Sequence, residues 1–167
     1  RDVAPSRGLG DVYKRQSLKD VYAAGDCSES LNSATGKLQV MALLPNAYIQ
    51  GEAAGINMAG GMKLYDDAIP MNSIGFWDIH VTTAGSYEGR EIVRRDDDNY
   101  KKLIVSDDKK LLKGFILIGD IKRAGIYTRL IREKVPLDTI DFDEMIEKPQ
   151  EMAFPSSVRK MYMGGVM

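Results

Sequence analysis

The sequence predicts two unequal parts: an α/β piece made of one strand and one helix, followed by a small α+β domain. Three observations carry that expectation. Residues 21–24 (VYAA) are a short apolar run that stops at Gly25-Asp26, the pattern of a buried parallel strand whose end opens into a loop. A second stretch, residues 45 to about 58, opens on Pro45 and repeats small residues at spacings of three and four, as a closely packed helix does. From residue 71 onward, runs rich in β-branched and aromatic residues alternate with polar turns and lead into an amphipathic helix.

The opening residues 1–16 (RDVAPSRGLGDVYKRQ) hold Pro5, Gly8 and Gly10 close together and show neither helical nor strand periodicity. They are expected to form a tail outside the fold. Their end, DVYKRQ, resembles a translation of the transposon end used in preparing shotgun sequencing libraries, so the stretch is read as non-native, the alternative being a genuine flexible N-terminus. On this reading the interpretable protein starts at Ser17. It starts abruptly, on a strand without upstream partner strands, as a truncated reading frame would leave it.

At 167 residues the chain suffices for one ordinary domain, or for a small domain plus a piece of another. Its apolar fraction of 44% and charged fraction of 28% are those of a globular protein. A formal charge of -1 gives no electrostatic reason to expect nucleic acid or an anionic membrane as partner. Cys27 is the single cysteine and His80 the single histidine, so no internal disulfide, CxxC pair or His-rich metal site can form within the chain. No metal site is expected. No apolar run approaches the roughly 20 residues of a membrane span, and no leader resembles a signal peptide, so the expected setting is cytoplasmic.

After the first strand, residues 27–37 (CSESLNSATGK) read as a polar loop, and residues 38–44 lead to Pro45 at the first turn of a helix running to about Met58. Ala47, Gly51, Ala54, Gly55 and Met58 share one face of that helix. A glycine inside a helix costs about 1 kcal/mol, so this face is expected to lie close to another backbone or a ligand, or simply to pack tightly on a sheet. Gly60-Gly61 ends the helix. Residues 71–83, 89–95, 100–105 and 111–118 read as strands, the last two flanking a turn at Asp107-Asp108-Lys109. Residues 121–134 place Ile121, Ala124, Thr128 and Ile131 on one face, a helix that stops before Pro136 and covers the sheet. Residues 138–147 suit a last short helix. The division expected is 1–16 tail, 17–64 first piece, 65–148 α+β domain and 149–167 an extended tail with four of the nine methionines.

Residues 17–26 (SLKDVYAAGD) resemble the last FAD-binding motif of the two-dinucleotide-fold flavoprotein reductases, and residues 43–61 (LLPNAYIQGEAAGINMAGG) resemble the flavin-facing helix of the same pyridine nucleotide-disulfide oxidoreductase family. The resemblance implies that the first piece is a remnant of an FAD-binding Rossmann-like domain and that the second part is the family's C-terminal interface domain. FAD is then the cofactor and NAD(P)H the substrate of the full-length enzyme. Gly25 and Asp26 are the implied binding residues of the turn, Gly25 letting the backbone pass beside the cofactor and Asp26 accepting hydrogen bonds from ribityl hydroxyls. Leu44, Pro45, Asn46 and Ala47 are the implied flavin contacts at a helix start that carries a partial positive charge.

The glycine fingerprints GxGxxG, a redox cysteine pair and the His-Glu pair of disulfide reductases are all lacking, and no catalytic residue is assigned. His80 reads as an ordinary sheet residue and Cys27 as a small buried one. The closer resemblance is to rubredoxin reductases and the flavoprotein portion of nitrite reductases. Partners so implied are the N-terminal FAD and NAD domains, a second copy in a homodimer, and a small redox protein as acceptor. A stand-alone binding or dimerisation module, without enzymatic role, is the alternative reading of the same residues.

Overall fold

A computed structural model describes Leu18 and residues 20–66, 68–150 and 153–154. The expectations for residues 1–16, and for most of 149–167, lie outside the described residues. The chain divides into two compact units, the first ending at Met71 and the second beginning at Asn72.

In the first unit, β1 (Glu29–Asn32) and β2 (Lys37–Val40) form an antiparallel hairpin with Glu29 opposite Val40 and Asn32 opposite Lys37. The sequence reading made residues 27–37 a polar loop, and this is a correction. Residues 33–36 are turn-forming: the Asn32 carbonyl accepts the Gly36 N–H at 2.7 Å and the Asn32 side chain accepts the Ala34 N–H at 2.9 Å. The two flanking tetrapeptides can then pair despite their polarity. A second correction concerns residues 21–24, where only Tyr22 makes an isolated bridge. Val21 is exposed and residues 22–24 are half-buried, so this run is neither a full ladder strand nor part of a buried core. Helix α1 (Leu44–Met58) matches the expected span, with proline in its first turn. Met41, Ala53, Tyr65 and Ala68 form the small core beneath it, with Ile49 packed against them.

The second sheet contains β3 (Met71–Phe76), β4 (Ile79–Gly85), β5 (Arg90–Arg95), β6 (Tyr100–Val105) and β7 (Leu112–Ile118), in the spatial order β3-β4-β7-β6-β5. Strands β4 and β7, β5 and β6, and β6 and β7 pair antiparallel. Residues 71–83, read as one segment, are broken by a two-residue turn at Trp77-Asp78, with Trp77 at φ 52. Gly85, at φ 82, ends β4 where an added Cβ would stand 2.1 Å from the Lys113 carbonyl oxygen, so only glycine fits.

Helix α2 (Ala124–Arg132) lies across β7 and β4. It buries Tyr127, Leu130 and Ile131 together with Leu103, Phe115 and Leu117 of the sheet, and the Phe115 and Tyr127 rings stand 5.7 Å apart. The helix begins three residues later than the periodicity suggested. Asp120 accepts the Lys122 N–H at 3.0 Å, and Arg123 takes a left-handed conformation at φ 62, which breaks the helical path just before Ala124. A 3-10 turn at Leu137–Thr139 and α3 (Phe142–Glu147) close the unit, with Asp141 capping α3 by accepting the Glu144 N–H. The Tyr127 hydroxyl donates to the Met145 carbonyl at 2.6 Å and so ties α2 to α3. Among the described residues no helix is long and apolar enough to cross a membrane.

Candidate functional site

Side chains of α1 determine the geometry around Gly25-Asp26. The helix turns inward Asn46, Gln50, Ala53, Ala54 and Asn57, a face displaced from the one that its glycines suggested. Gly51 and Gly55 are exposed, and no described atom would lie within 4 Å of a Cβ added at either, so neither meets close-packed backbone among the described residues. The buried face has a different task. Each of its three amide side chains hydrogen-bonds loop backbone, buried at Ile69 and half-buried at Gly25 and Lys63. Asn46 donates through Nδ2 to the Ile69 carbonyl at 3.1 Å. Gln50 accepts the Gly25 N–H at Oε1, at 2.9 Å. Asn57 accepts the Lys63 N–H at 2.6 Å and donates to the Lys63 carbonyl at 2.9 Å.

The Gly25 turn is therefore seated on the second turn of α1. Gly25 adopts φ 87, a left-handed conformation that glycine takes without strain. An added Cβ would meet Ala47 Cβ at 3.9 Å, an ordinary contact, so backbone conformation and not crowding is what calls for glycine here. The Ser28 hydroxyl lies 2.7 Å from Gln50 Oε1 and 3.0 Å from the Gly25 carbonyl oxygen, with one proton to give to either. Asp26 follows with its carboxylate exposed and without a partner among the described residues. Cys27 is exposed too, its Sγ 3.4 Å from the Ala24 carbonyl oxygen. That corrects the expectation of a buried thiol, because the turn that seats Gly25 inward carries its two successors outward.

Of the residues implied at the helix start, Leu44 and Pro45 are exposed, Asn46 is buried and Ala47 is half-buried. No side chain caps the first turn and no acidic residue lies in it, so its N–H groups keep their partial positive charge. Asn46 Oδ1 and Gln50 Nε2 are buried with no hydrogen-bond partner among the described residues. The fold thus brings Gly25, Asp26 and the α1 start together. It adds Gln50 and Ser28, which the sequence reading passed over, although Gln50 stands four residues after Asn46 and so on the same helix face. His80 lies in β4 with its side chain exposed and its carbonyl accepting the Gly119 N–H at 2.9 Å. Among the described residues no cluster of three His, Cys, Asp or Glu could hold a metal ion.

Residues 70–135 match the family described as the rubredoxin NAD+ reductase C-terminal domain. The chain is 33% identical over 137 residues to the NADH-dependent phenylglyoxylate dehydrogenase subunit epsilon of Aromatoleum evansii, covering 77% of this chain and 32% of that protein. It is 28% identical over 166 residues to the NADH nitrite reductase large subunit of Escherichia coli strain K12, covering 93% of this chain and 18% of the relative. Among solved structures it resembles NADH:rubredoxin oxidoreductase from Clostridium acetobutylicum, with a TM-score of 0.60 at 25% identity, over 88% of this chain and 38% of that one. The chain spans less than half the length of each.

Proposed function

We propose a function from one premise: the chain belongs to the FAD-dependent pyridine nucleotide-disulfide oxidoreductase family and carries its C-terminal domain. The parent protein is a flavoenzyme that takes electrons from NAD(P)H and passes them to a small redox protein or a further cofactor. This reading rests on relatives named for NADH-dependent reactions and for rubredoxin. Bound FAD would supply the exchange between the two-electron donor and the acceptor. The chain itself contributes placement and charge, in a cytoplasmic setting, together with the N-terminal FAD and NAD domains of the parent and, as a further partner, a second copy.

The observation that carries the cofactor reading is the seating of Gly25 on Gln50, which leaves the exposed Asp26 carboxylate beside a helix start free of acidic groups. A carboxylate in that position accepts hydrogen bonds from the ribityl hydroxyls of the cofactor, and the uncapped N–H groups of Leu44 and Asn46 favour negative charge on the ring edge they face. Pro45 gives up no hydrogen bond there, since it has no N–H. Leu44 and Ala47 present apolar surface to the same ligand.

Replacing Asp26 by alanine in the full-length flavoenzyme tests this. Losing charge-assisted hydrogen bonds worth roughly 1.5 to 3 kcal/mol lowers FAD affinity about ten- to a hundredfold. Equal flavin content after dialysis of wild type and Asp26→Ala would refute the ribityl assignment. The chain alone is expected to purify colourless, because the phosphates of the cofactor need a glycine-rich turn that this sequence does not contain.

A further inference from the structure

The second unit has an open cleft of about 570 Å3, the size of a small-molecule site, that the flavin reading does not use. Side chains of β5 and β6, of the turn before α2 and of the end of α3 line it. Six of these are basic and three acidic, in a chain whose formal charge is -1, so positive charge is concentrated here. The three acids are already engaged. Asp96 accepts the Asp98 and Asn99 N–H groups at 2.9 and 2.8 Å, which hold its carboxyl below the usual range. Asp120 accepts the Lys122 N–H, and Glu147 takes the Arg94 Nε at 3.0 Å. Arg95, Lys122 and Lys148, in contrast, have no ion-pair partner among the described residues.

The floor of the cleft differs from its rim. Leu117 and Tyr127 are buried beneath the lining and Tyr100 is half-buried, so the Tyr100 ring is the accessible apolar part of the base below the exposed cations. Helix α2 starts on the rim, with no side-chain cap, no acid in its first turn and open space beside Gly125. Arg123, held at φ 62, donates through its guanidinium to the Pro149 carbonyl at 3.1 Å, which fixes it across the cleft mouth.

We propose that this cleft binds a small organic phosphate, the phosphate taken by Arg95, Lys122 and Arg123 before the α2 start and the apolar part lying over Tyr100. Two arginines and a lysine together match a phosphate's several acceptor oxygens, and the Tyr100 ring distinguishes an organic ester from the inorganic ion. The site lies wholly within the second unit and does not rest on the flavin reading.

Calorimetric titration of the whole chain with phenyl phosphate and with inorganic phosphate, at constant ionic strength, tests the assignment. Saturable one-to-one binding of phenyl phosphate is expected, tighter than that of inorganic phosphate and weakened about tenfold in Lys122→Ala and in Arg123→Gly. Arg123→Gly removes the charge while suiting the left-handed backbone, and Lys122 is exposed, so neither change should disturb the fold; melting temperature and circular dichroism report on that. No saturable binding, a heat reproduced by sodium chloride at the same ionic strength, or unaltered affinity in both variants overturns the proposal. Equal affinity for the two phosphates overturns the choice of an organic ligand.

Discussion

Gly25 and Gln50 are 25 residues apart and are joined by one hydrogen bond, 2.9 Å from the glycine amide to Oε1 of a glutamine that is 0% exposed. Ser28 reaches the same oxygen. Gln50→Leu keeps roughly the volume and removes the acceptor, leaving a half-buried N–H without its partner at a cost of about 1 kcal/mol. The variant should melt several degrees lower and its Gly25 amide should exchange with solvent much faster. An unchanged exchange rate would show that the turn is held by something other than this bond.

Cys27, as the single cysteine, gives a direct reading of how the same turn is oriented. An exposed thiol should titrate with one equivalent of a disulfide reagent in native buffer, at close to the rate seen in denaturant. Protection by more than about tenfold would mean that the thiol is covered, as the sequence alone had led one to expect.

The β3–β4 turn offers a stabilising change. Trp77 is 87% exposed, at φ 52, in a two-residue loop where glycine or asparagine is the ordinary choice. Its ring contacts Phe76, with centroids 4.5 Å apart. Trp77→Gly gives up that contact but relieves a left-handed conformation, for a net gain of about 0.5 kcal/mol and a melting temperature a few degrees higher. A fall in melting temperature would show that the Phe76 stack outweighs backbone strain.

These residues also show which features were legible in the sequence. Strands β5, β6 and β7 and helix α1 were readable because each has a local pattern of its own: alternation, a turn at Asp107-Asp108, or a proline at a helix start. The hairpin of β1 and β2 was not, because its residues are polar and their pairing depends on the turn after Asn32. The break at Trp77-Asp78 carries no turn signature, since tryptophan seldom adopts positive φ. At the candidate site, Gly25, Asp26 and the Pro45 helix start could be named from resemblance. Gln50 and Ser28 could not, because their roles arise only when a helix and a turn from distant parts of the chain meet. The inward face of α1 was misjudged for a related reason. Small residues suggest close packing, but here buried amides tie down three loops while the glycines stay exposed.

The link between α2 and α3 gives a pH-dependent signature. Burial, and secondarily the charge of Glu147, push the Tyr127 hydroxyl pKa well above the ordinary tyrosine value. Only the protonated hydroxyl can donate to the Met145 carbonyl. The native protein therefore keeps this proton at pH values where the unfolded chain has released it. With more protons bound in the native state, stability falls as pH rises, starting near the unfolded tyrosine pKa of about 10, while below that value the contribution is complete. Tyr127→Phe removes both the hydrogen bond and the titration. At neutral pH it should be less stable by about 1 kcal/mol, and that deficit should shrink as pH climbs above about 10. Urea midpoints for the two proteins from about pH 8 to 11 measure it, the other tyrosines cancelling in the comparison. A deficit that stays constant across the range would mean that Tyr127 titrates alike in both states, and that its hydroxyl is not the buried donor joining α2 to α3.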